Sequence, residues 1–126
     1  MRFLIRFFCF LPIFLMAQGK VHQGLWVQKN VVNYGKVEQW ISVVESIKIQ
    51  NTSNQKLFLL PQYYPQNFEV RFPKKAIEPN EFAYIEIIYK PQKTGKFNHK
   101  LAFYHSGSTL PFTIQYTGEI LSFDPF

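Results

Sequence analysis

The sequence predicts an all-β chain that folds as a β-sandwich of about seven antiparallel strands. Where apolar residues recur clearly, they recur every two residues rather than every 3.6, as in strands with one buried face. Aromatic residues form 18% of the chain and hydrophobic residues 47%, which favours a β-rich core and excludes disorder. A length of 126 residues supplies one core and no second domain.

Residues 1–17 are predicted to form a signal peptide. Arg2 and Arg6 precede an apolar run from Phe7 to Met16, which is followed by the small residue Ala17. The run is about ten residues long, whereas a membrane-spanning helix needs about 20. We therefore expect cleavage after Ala17 and an exported protein that is periplasmic, outer-membrane-associated or secreted. A retained anchor and a buried core segment are the alternatives.

The remainder of the chain is expected to be one sandwich with short ends. An amino-terminal extension is predicted at 18–30, the sandwich at 31–121 and a tail at 122–126. The tail ends in Phe126, and three roles are open for it. It docks on the sheet, serves as a recognition peptide, or marks the point where relatives continue into another domain.

Cys9 is the single cysteine, and it lies inside the apolar run. Lipid attachment needs a small residue directly before the cysteine, whereas Phe8 stands there, so we do not expect a lipoprotein. The mature chain would contain no cysteine, which excludes disulfides, thiolate metal sites and a cysteine nucleophile. We expect no cofactor and no bound metal.

The basic excess of the chain is modest. Loss of Arg2 and Arg6 would lower the formal net charge from +6 to about +4. We assign the lysines to solvated loops and strand faces, and we expect no nucleic-acid partner. The lysines concerned are Lys74, Lys75, Lys90, Lys93, Lys96 and Lys100.

The first half of the sandwich shows strands at short intervals. Val31–Tyr34 is predicted to be the first strand, and Trp40 is expected to cap the core. The second strand places on its apolar face Ile41, Val43, Ile47 and Ile49. Glu45 interrupts that face, which indicates the end of the buried stretch, a bulge, or an inward-facing edge residue that discourages strand addition.

The middle of the chain alternates turns with short strands. Asn51–Asn54 is predicted to be a turn and Leu57–Leu60 a short apolar strand. Pro61–Asn67 is predicted to be a loop, and Phe68–Phe72 the next strand.

The second half gives the clearest alternation. Phe82–Tyr89 is predicted to be a strand whose odd-numbered residues face the core. The turn Lys93–Lys96 is expected to close a hairpin with a strand that buries Phe97, Leu101 and Phe103.

The last strand follows the turn at Ser106–Ser108. Its apolar residues, spaced by two, run from Leu110 to Ile120. Pro111 near its start indicates an edge strand or an entry bend.

Seven short motifs in this order resemble the ASH-type, Hydin-like (major-sperm-protein-like) immunoglobulin-like domains, here in an exported bacterial protein. The motifs are Val32–Val37, Ile47–Ser53, Leu57–Leu59, Ala76–Glu81, Ile85–Pro91, Thr94–Phe97 and Phe112–Glu119. The resemblance covers about Val31 to Ile120 and implies an immunoglobulin-like sandwich. Such domains mostly act as binding or scaffolding modules, so it also implies a non-catalytic role.

Two positions depart from the family pattern. Asn80 stands where the family usually has glycine, which a turn tolerates. Many exported relatives carry a cysteine-rich segment where this chain has Gln62–Asn67 without cysteine. A metal or redox role of those relatives therefore does not carry over.

The polar residues do not predict an active site. Glu78 and Glu81 are expected on one exposed turn rather than facing each other across a cleft. His22, His99 and His105 are expected to be surface residues, since His99 and His105 would lie about 20 Å apart on one strand. The serines around Gly107 lack the strand-to-helix turn of a hydrolase nucleophile. We therefore expect no enzyme.

Two functions from different classes remain. The preferred one is an exported interaction module that binds a protein partner in the cell envelope through an open sheet edge or its loop tips. The alternative is polysaccharide binding by exposed aromatic rings, which requires Tyr63, Tyr64 and Trp26 to form one flat platform. Tyr84 and Tyr104 are further candidate contact residues, with cross-strand pairing as their other role.

Overall fold

The computed structural model describes residues 19–123. The predicted signal peptide with Cys9 and the last three residues of the predicted tail lie outside the described residues. Between residues 19 and 123 the chain forms nine strands, and no helix there is long and apolar enough to cross a membrane.

The nine strands form two sheets. In chain order they are β1 (Lys20–His22), β2 (Leu25–Val27), β3 (Val31–Glu38), β4 (Val43–Asn51), β5 (Leu59–Leu60), β6 (Phe68–Arg71), β7 (Phe82–Tyr89), β8 (Gly95–His105) and β9 (Phe112–Leu121). The five-stranded sheet has the order β1-β2-β4-β7-β6, and the four-stranded sheet has the order β3-β9-β8-β5. All pairs are antiparallel except β3 with β9, which is parallel. The predicted immunoglobulin-like sandwich is therefore confirmed, with one parallel pair.

The core lies between the two sheets and takes alternate residues from each long strand. Ile47 of β4 and Ile85 of β7 are completely buried from one side, and Phe103 of β8 and Ile114 of β9 from the other. Alternate residues meet in this way because successive side chains of a strand point to opposite faces. Each such side chain contributes about 1.5 to 3 kcal/mol on burial, so the sandwich is held mainly by this layer.

All seven predicted strands are present, and β1 and β2 are additional. Residues 20–27, predicted to be part of an extension, instead complete the five-stranded sheet beside β4. Leu25 and Val27 of β2 belong to the buried core. Three-residue strands give too short an alternation to be recognised from the sequence alone.

The predicted hairpin around Lys93–Lys96 is wrong. β7 lies in the five-stranded sheet and β8 in the four-stranded sheet, so the connection crosses the sandwich. Gly95 has a φ of 115°, which fits the expected turn chemistry. Pro91 is buried after the last residue of β7 and has no N–H with which to continue a ladder. A break between β7 and β8 was therefore predicted correctly, although Gly95 and Lys96 of the predicted turn belong to β8 and the predicted pairing was wrong.

Trp40 does not cap the core. Its side chain is 63% exposed, and its φ of 71° redirects the chain between β3 and β4. Ile41 and Leu110 were expected on buried faces and are also exposed, because each lies just outside a strand. The apolar alternation in the sequence thus begins two residues before the first residue of β4 and of β9.

Glu45 is an inward-facing residue on an uncovered part of β4. On this side β2 pairs with β4 only from Ile49 to Asn51, so Glu45 has no neighbouring strand there. Its largely buried carboxylate pairs with the ammonium group of Lys29. Of the three alternatives for Glu45, the inward-facing edge residue is the one that the structure shows.

Asn51, the last residue of β4, connects two loops at one end of the sandwich. Its completely buried amide group donates to the carbonyl oxygens of Gln55 (2.6 Å) and Ile77 (2.8 Å). Its Oδ1 accepts from the backbone N–H (2.9 Å) and the hydroxyl (2.7 Å) of Ser53. All four bonding positions of this amide are therefore used.

We predict that Asn51→Ala lowers the free energy of unfolding by about 3 kcal/mol, because two acceptors lose their donor in a buried site. Asn51→Asp should cost more at pH 7, since a carboxylate would face two carbonyl oxygens, and should partly recover near pH 4 on protonation. Urea unfolding at both pH values measures this.

Asn54→Ala is the matched control, since Asn54 is exposed in the same turn. It should change stability by less than about 0.5 kcal/mol. Equal losses for Asn51→Ala and Asn54→Ala would contradict the role given to Asn51.

Candidate protein-docking edge

The long strand β8 is left unpaired along most of one edge. On one side β9 pairs with it from Gly95 to Phe103, whereas on the other side β5 pairs only with Tyr104 and His105. β5 is short because Pro61 follows it directly, and proline cannot donate to a strand ladder. Residues 96–102 of β8, here called the β8 edge, therefore face no strand on the β5 side within residues 19–123.

The backbone groups that point outward from the β8 edge belong to even-numbered residues. Beyond the end of the β8 edge, Ser106 N–H donates to the carbonyl of Phe58, and at its last residue the Tyr64 hydroxyl donates to the carbonyl of Ala102 (3.2 Å). Backbone groups alternate between the two edges of a strand, so Asn98 and Lys100 point the same way. Their N–H and C=O groups are available to an added strand.

The other open stretches are shorter or less regular, and at residues 43–47 of β4 the Lys29–Glu45 ion pair lies beside the edge. β1 and β6 have three and four residues, and short edge strands offer little to pair with. β3 is longer, but its register with β9 shifts between Asn33 and Lys36. Such an irregularity twists a strand and hinders edge-to-edge pairing. Among the strands described, β8 offers the longest regular open edge.

A cleft of about 420 Å³ lies beside the first half of the β8 edge, between the two sheets. Phe97 and His99 of β8 reach into it and are only half-buried, because no strand covers them. The ring of Phe97 packs 4.8 Å from that of Tyr89, and Phe68 meets His99 edge-on at 5.2 Å. The cleft thus has an aromatic floor.

Three of the five candidate contact residues lie together along the second half of the edge. Tyr63, Tyr64 and Tyr104 line a hollow of about 270 Å³ with Lys100 and Ala102. Tyr63 is fully exposed, whereas the ring of Tyr64 packs against Phe103 at 5.6 Å. Burial also raises the pKa of Tyr64 to about 12. Tyr64 is therefore a wall of the hollow, and Tyr63 presents its ring to solvent.

The other two candidates lie on the outer face of the opposite sheet. Trp26 of β2 is the cross-strand neighbour of Gln50, and Tyr84 of β7 is the neighbour of Lys48. Trp26 consequently does not join Tyr63 and Tyr64 in one platform. The sequence could not show this, because strands of both sheets carry outward aromatic residues.

The β8 edge is cationic. Lys96 and Lys100 lie on it and Lys93 lines the adjoining cleft, and none of the three forms an ion pair with another residue in the described part of the chain. The closest acid in the register is Glu119 of β9, opposite Lys96, while Lys100 is opposite the neutral Gln115. Unpaired charges beside open backbone groups favour an anionic partner.

The prediction of surface histidines is wrong for His105, which is completely buried. The β1–β2 hairpin folds back onto the end of β8 and places His22 Nδ1 3.3 Å from His105 Nε2. His105 Nε2 donates to the His22 carbonyl (3.0 Å), and Nδ1 accepts from Gly107 N–H (3.1 Å). These bonds use the neutral ring, and burial lowers the pKa of His105 below its ordinary value of 6.5.

The remaining acidic candidates lie together in the turn before β7. Glu78 and Glu81 share one exposed turn, as predicted, and Glu81 Oε1 accepts from Glu78 N–H at 2.8 Å. Across residues 19–123, no three side chains of histidine, cysteine or acidic type come close enough to hold a metal ion.

A family model for the HYDIN/CFA65/VesB-like, Ig-like domain matches residues 24–119, which is most of the chain. The chain belongs to this family. The match begins within the β1–β2 hairpin and ends in β9, so it includes the β8 edge. No curated protein matches the chain in a sequence search.

Solved structures show the same fold at low sequence identity. The VesB protease of Vibrio cholerae is 18% identical, with a TM-score of 0.59 over 76% of this chain and 32% of its own. The ASH/PapD-like domain 7 of human CEP192 is 9% identical, with a TM-score of 0.62 over 86% and 95%. A Porphyromonas gingivalis protein of unknown function is 10% identical, with a TM-score of 0.66 over 81% and 50%. The chain thus spans about a third of VesB and nearly all of the CEP192 domain.

We predict that the domain loses stability as the pH falls from 7 towards 5. The pKa of His105 is lowered in the folded state, so below the ordinary value of 6.5 the unfolded chain binds a proton that the folded chain rejects. Urea unfolding at a series of pH values should show this decline. Glutamine keeps a hydrogen-bond donor and an acceptor but does not titrate, so His105→Gln should make the decline in stability with falling pH shallower.

Asn98→Gln is the control for the pH series, because it alters an exposed residue in the middle of β8 and changes no titratable group. Its decline in stability with falling pH should match that of the unaltered protein. An unchanged slope in His105→Gln would contradict the assignment to His105.

Proposed function

We propose that the protein is a non-catalytic, exported interaction module that binds a protein partner in the cell envelope through the β8 edge. The observation that carries the proposal is the set of open outward N–H and C=O groups at Asn98 and Lys100, beside a cleft with an aromatic floor. A partner strand would satisfy the open N–H and C=O groups and cover Phe97 and His99. Membership in a family of Ig-like domains supports a binding role.

Two features favour specific docking at this edge over nonspecific association. The edge carries lysines, which oppose pairing with like-charged edges and limit aggregation. Its apolar part is recessed in the cleft rather than raised on the surface. The partner therefore needs an extended shape to reach it.

We predict that Lys100→Pro abolishes capture of the partner when the tagged protein is used to purify it from its native envelope fraction. Proline removes the N–H that points to the open side and obstructs an added strand. The β8–β9 ladder uses the other edge, so the variant should stay folded with a similar melting temperature. Capture should fall at least about tenfold and towards the background level, since one main-chain hydrogen bond is removed and the proline ring obstructs those beside it.

Lys100→Thr is the matched control, because it removes the same charge and keeps the N–H. Its loss of capture should be about twofold to fivefold, the scale of one cross-strand charge pair. Equal capture by the folded Lys100→Pro variant and the unaltered protein would contradict docking at this edge.

A second candidate, polysaccharide binding, is favoured by the full exposure of Tyr63 beside Tyr104 in one hollow. Rings in such a position stack on sugar faces. If this is the function, Tyr63→Ala abolishes retention on the envelope polysaccharide fraction, and Lys100→Pro leaves it intact. Tyr84→Ala, on the opposite sheet, is the control and should have no effect. Failure of the protein to be retained on polysaccharide rules this candidate out.

A further inference from the structure

We propose that the partner segment is a short acidic strand with the pattern acidic, apolar, polar, apolar, acidic. This inference rests on the proposed function and specifies the chemistry of its partner. It follows from the charges on one face of the β8 edge and the aromatic rings on the other.

The outer face of the edge sets the two acidic positions. Lys96, Asn98 and Lys100 alternate along β8 and point away from the core. In an added strand, the residues opposite the two lysines are four positions apart, with one residue opposite Asn98 between them. Acidic residues at the ends and a polar residue in the centre match this face.

The inner face sets the apolar positions. Phe97 and His99 lie between the three outer residues in sequence, and both line the cleft. The second and fourth residues of an added strand would lie opposite them and enter the space above the aromatic floor. Apolar side chains there would cover rings that are only half-buried in the free domain.

The required pattern reads the same in both directions. A parallel and an antiparallel strand therefore satisfy the charges equally, and backbone geometry decides between them. Antiparallel pairing is somewhat more stable per residue, so we expect that orientation.

A second copy of this chain fits the edge less well. If two β8 edges paired antiparallel around Asn98, Lys96 of each copy would lie opposite Lys100 of the other. Like charges directly opposite each other destabilise a strand pair. The charge of the edge thus favours a different, acidic chain.

Fluorescence anisotropy with labelled synthetic peptides tests the inference on the purified protein. The probe is Ser-Glu-Val-Thr-Val-Glu-Ser, and the control replaces both Glu residues by Lys. We expect the acidic peptide to bind at least about tenfold more tightly, from two charge pairs gained and two repulsions avoided. Its affinity should fall as salt is added.

Charge reversal on the protein gives a second test. Lys96→Glu with Lys100→Glu should reverse the preference, so that the lysine peptide binds better than the acidic one. Lys74→Glu with Lys75→Glu is the control, since these lysines lie in the β6–β7 connection, and it should leave the preference unchanged. Melting temperatures of both variants confirm that each is folded.

The outcomes separate this inference from the proposed function. If Lys100→Pro abolishes partner capture but the acidic peptide binds no better than the lysine peptide, docking at the edge stands and the acidic pattern is overturned. If Lys100→Pro leaves capture intact, the proposed function itself fails. If sedimentation shows a dimer that Lys100→Pro disrupts, a second copy occupies the edge and the inference is also overturned.

Discussion

The buried amide of Asn51 is the constraint on which the shape of the candidate edge depends. By bonding to Gln55 and Ile77, it fixes the β4–β5 turn against the loop before β7. Leu57 then pairs with Ile77, which brings β5 beside the end of β8. Pro61 stops β5 after two residues, and the rest of the β8 edge stays open.

The local alternation of apolar residues predicted where the strands lie, but it could not predict which distant strands pair. The alternation in β7 identified its buried face, since Ile85 and Ile87 are completely buried. The same alternation fits a hairpin within one sheet or a connection that crosses to the other sheet, because either arrangement buries the same residues. For Lys93–Lys96 the hairpin was predicted, whereas the chain crosses to the other sheet. The contact of His22 with His105 was hidden for a similar reason, since 83 residues separate them.

The candidate site was predicted in part. Tyr63, Tyr64 and Tyr104 meet beside the β8 edge, whereas Trp26 and Tyr84 lie on the other sheet. The open edge itself left one signal in the sequence: an eleven-residue strand whose neighbour is ended by Pro61. That signal has meaning only once β5 and β8 are known to pair, so sequence reasoning could not use it.

The central claim is that the partner adds to the β8 edge. Amide hydrogen exchange on the protein, measured with and without its captured envelope partner, tests this most directly. The account predicts slower exchange at the outward N–H groups of Asn98 and Lys100, with β2 and β7 unchanged. Slower exchange confined to the outer face of the five-stranded sheet around Trp26 and Tyr84, with the β8 edge unchanged, would contradict it.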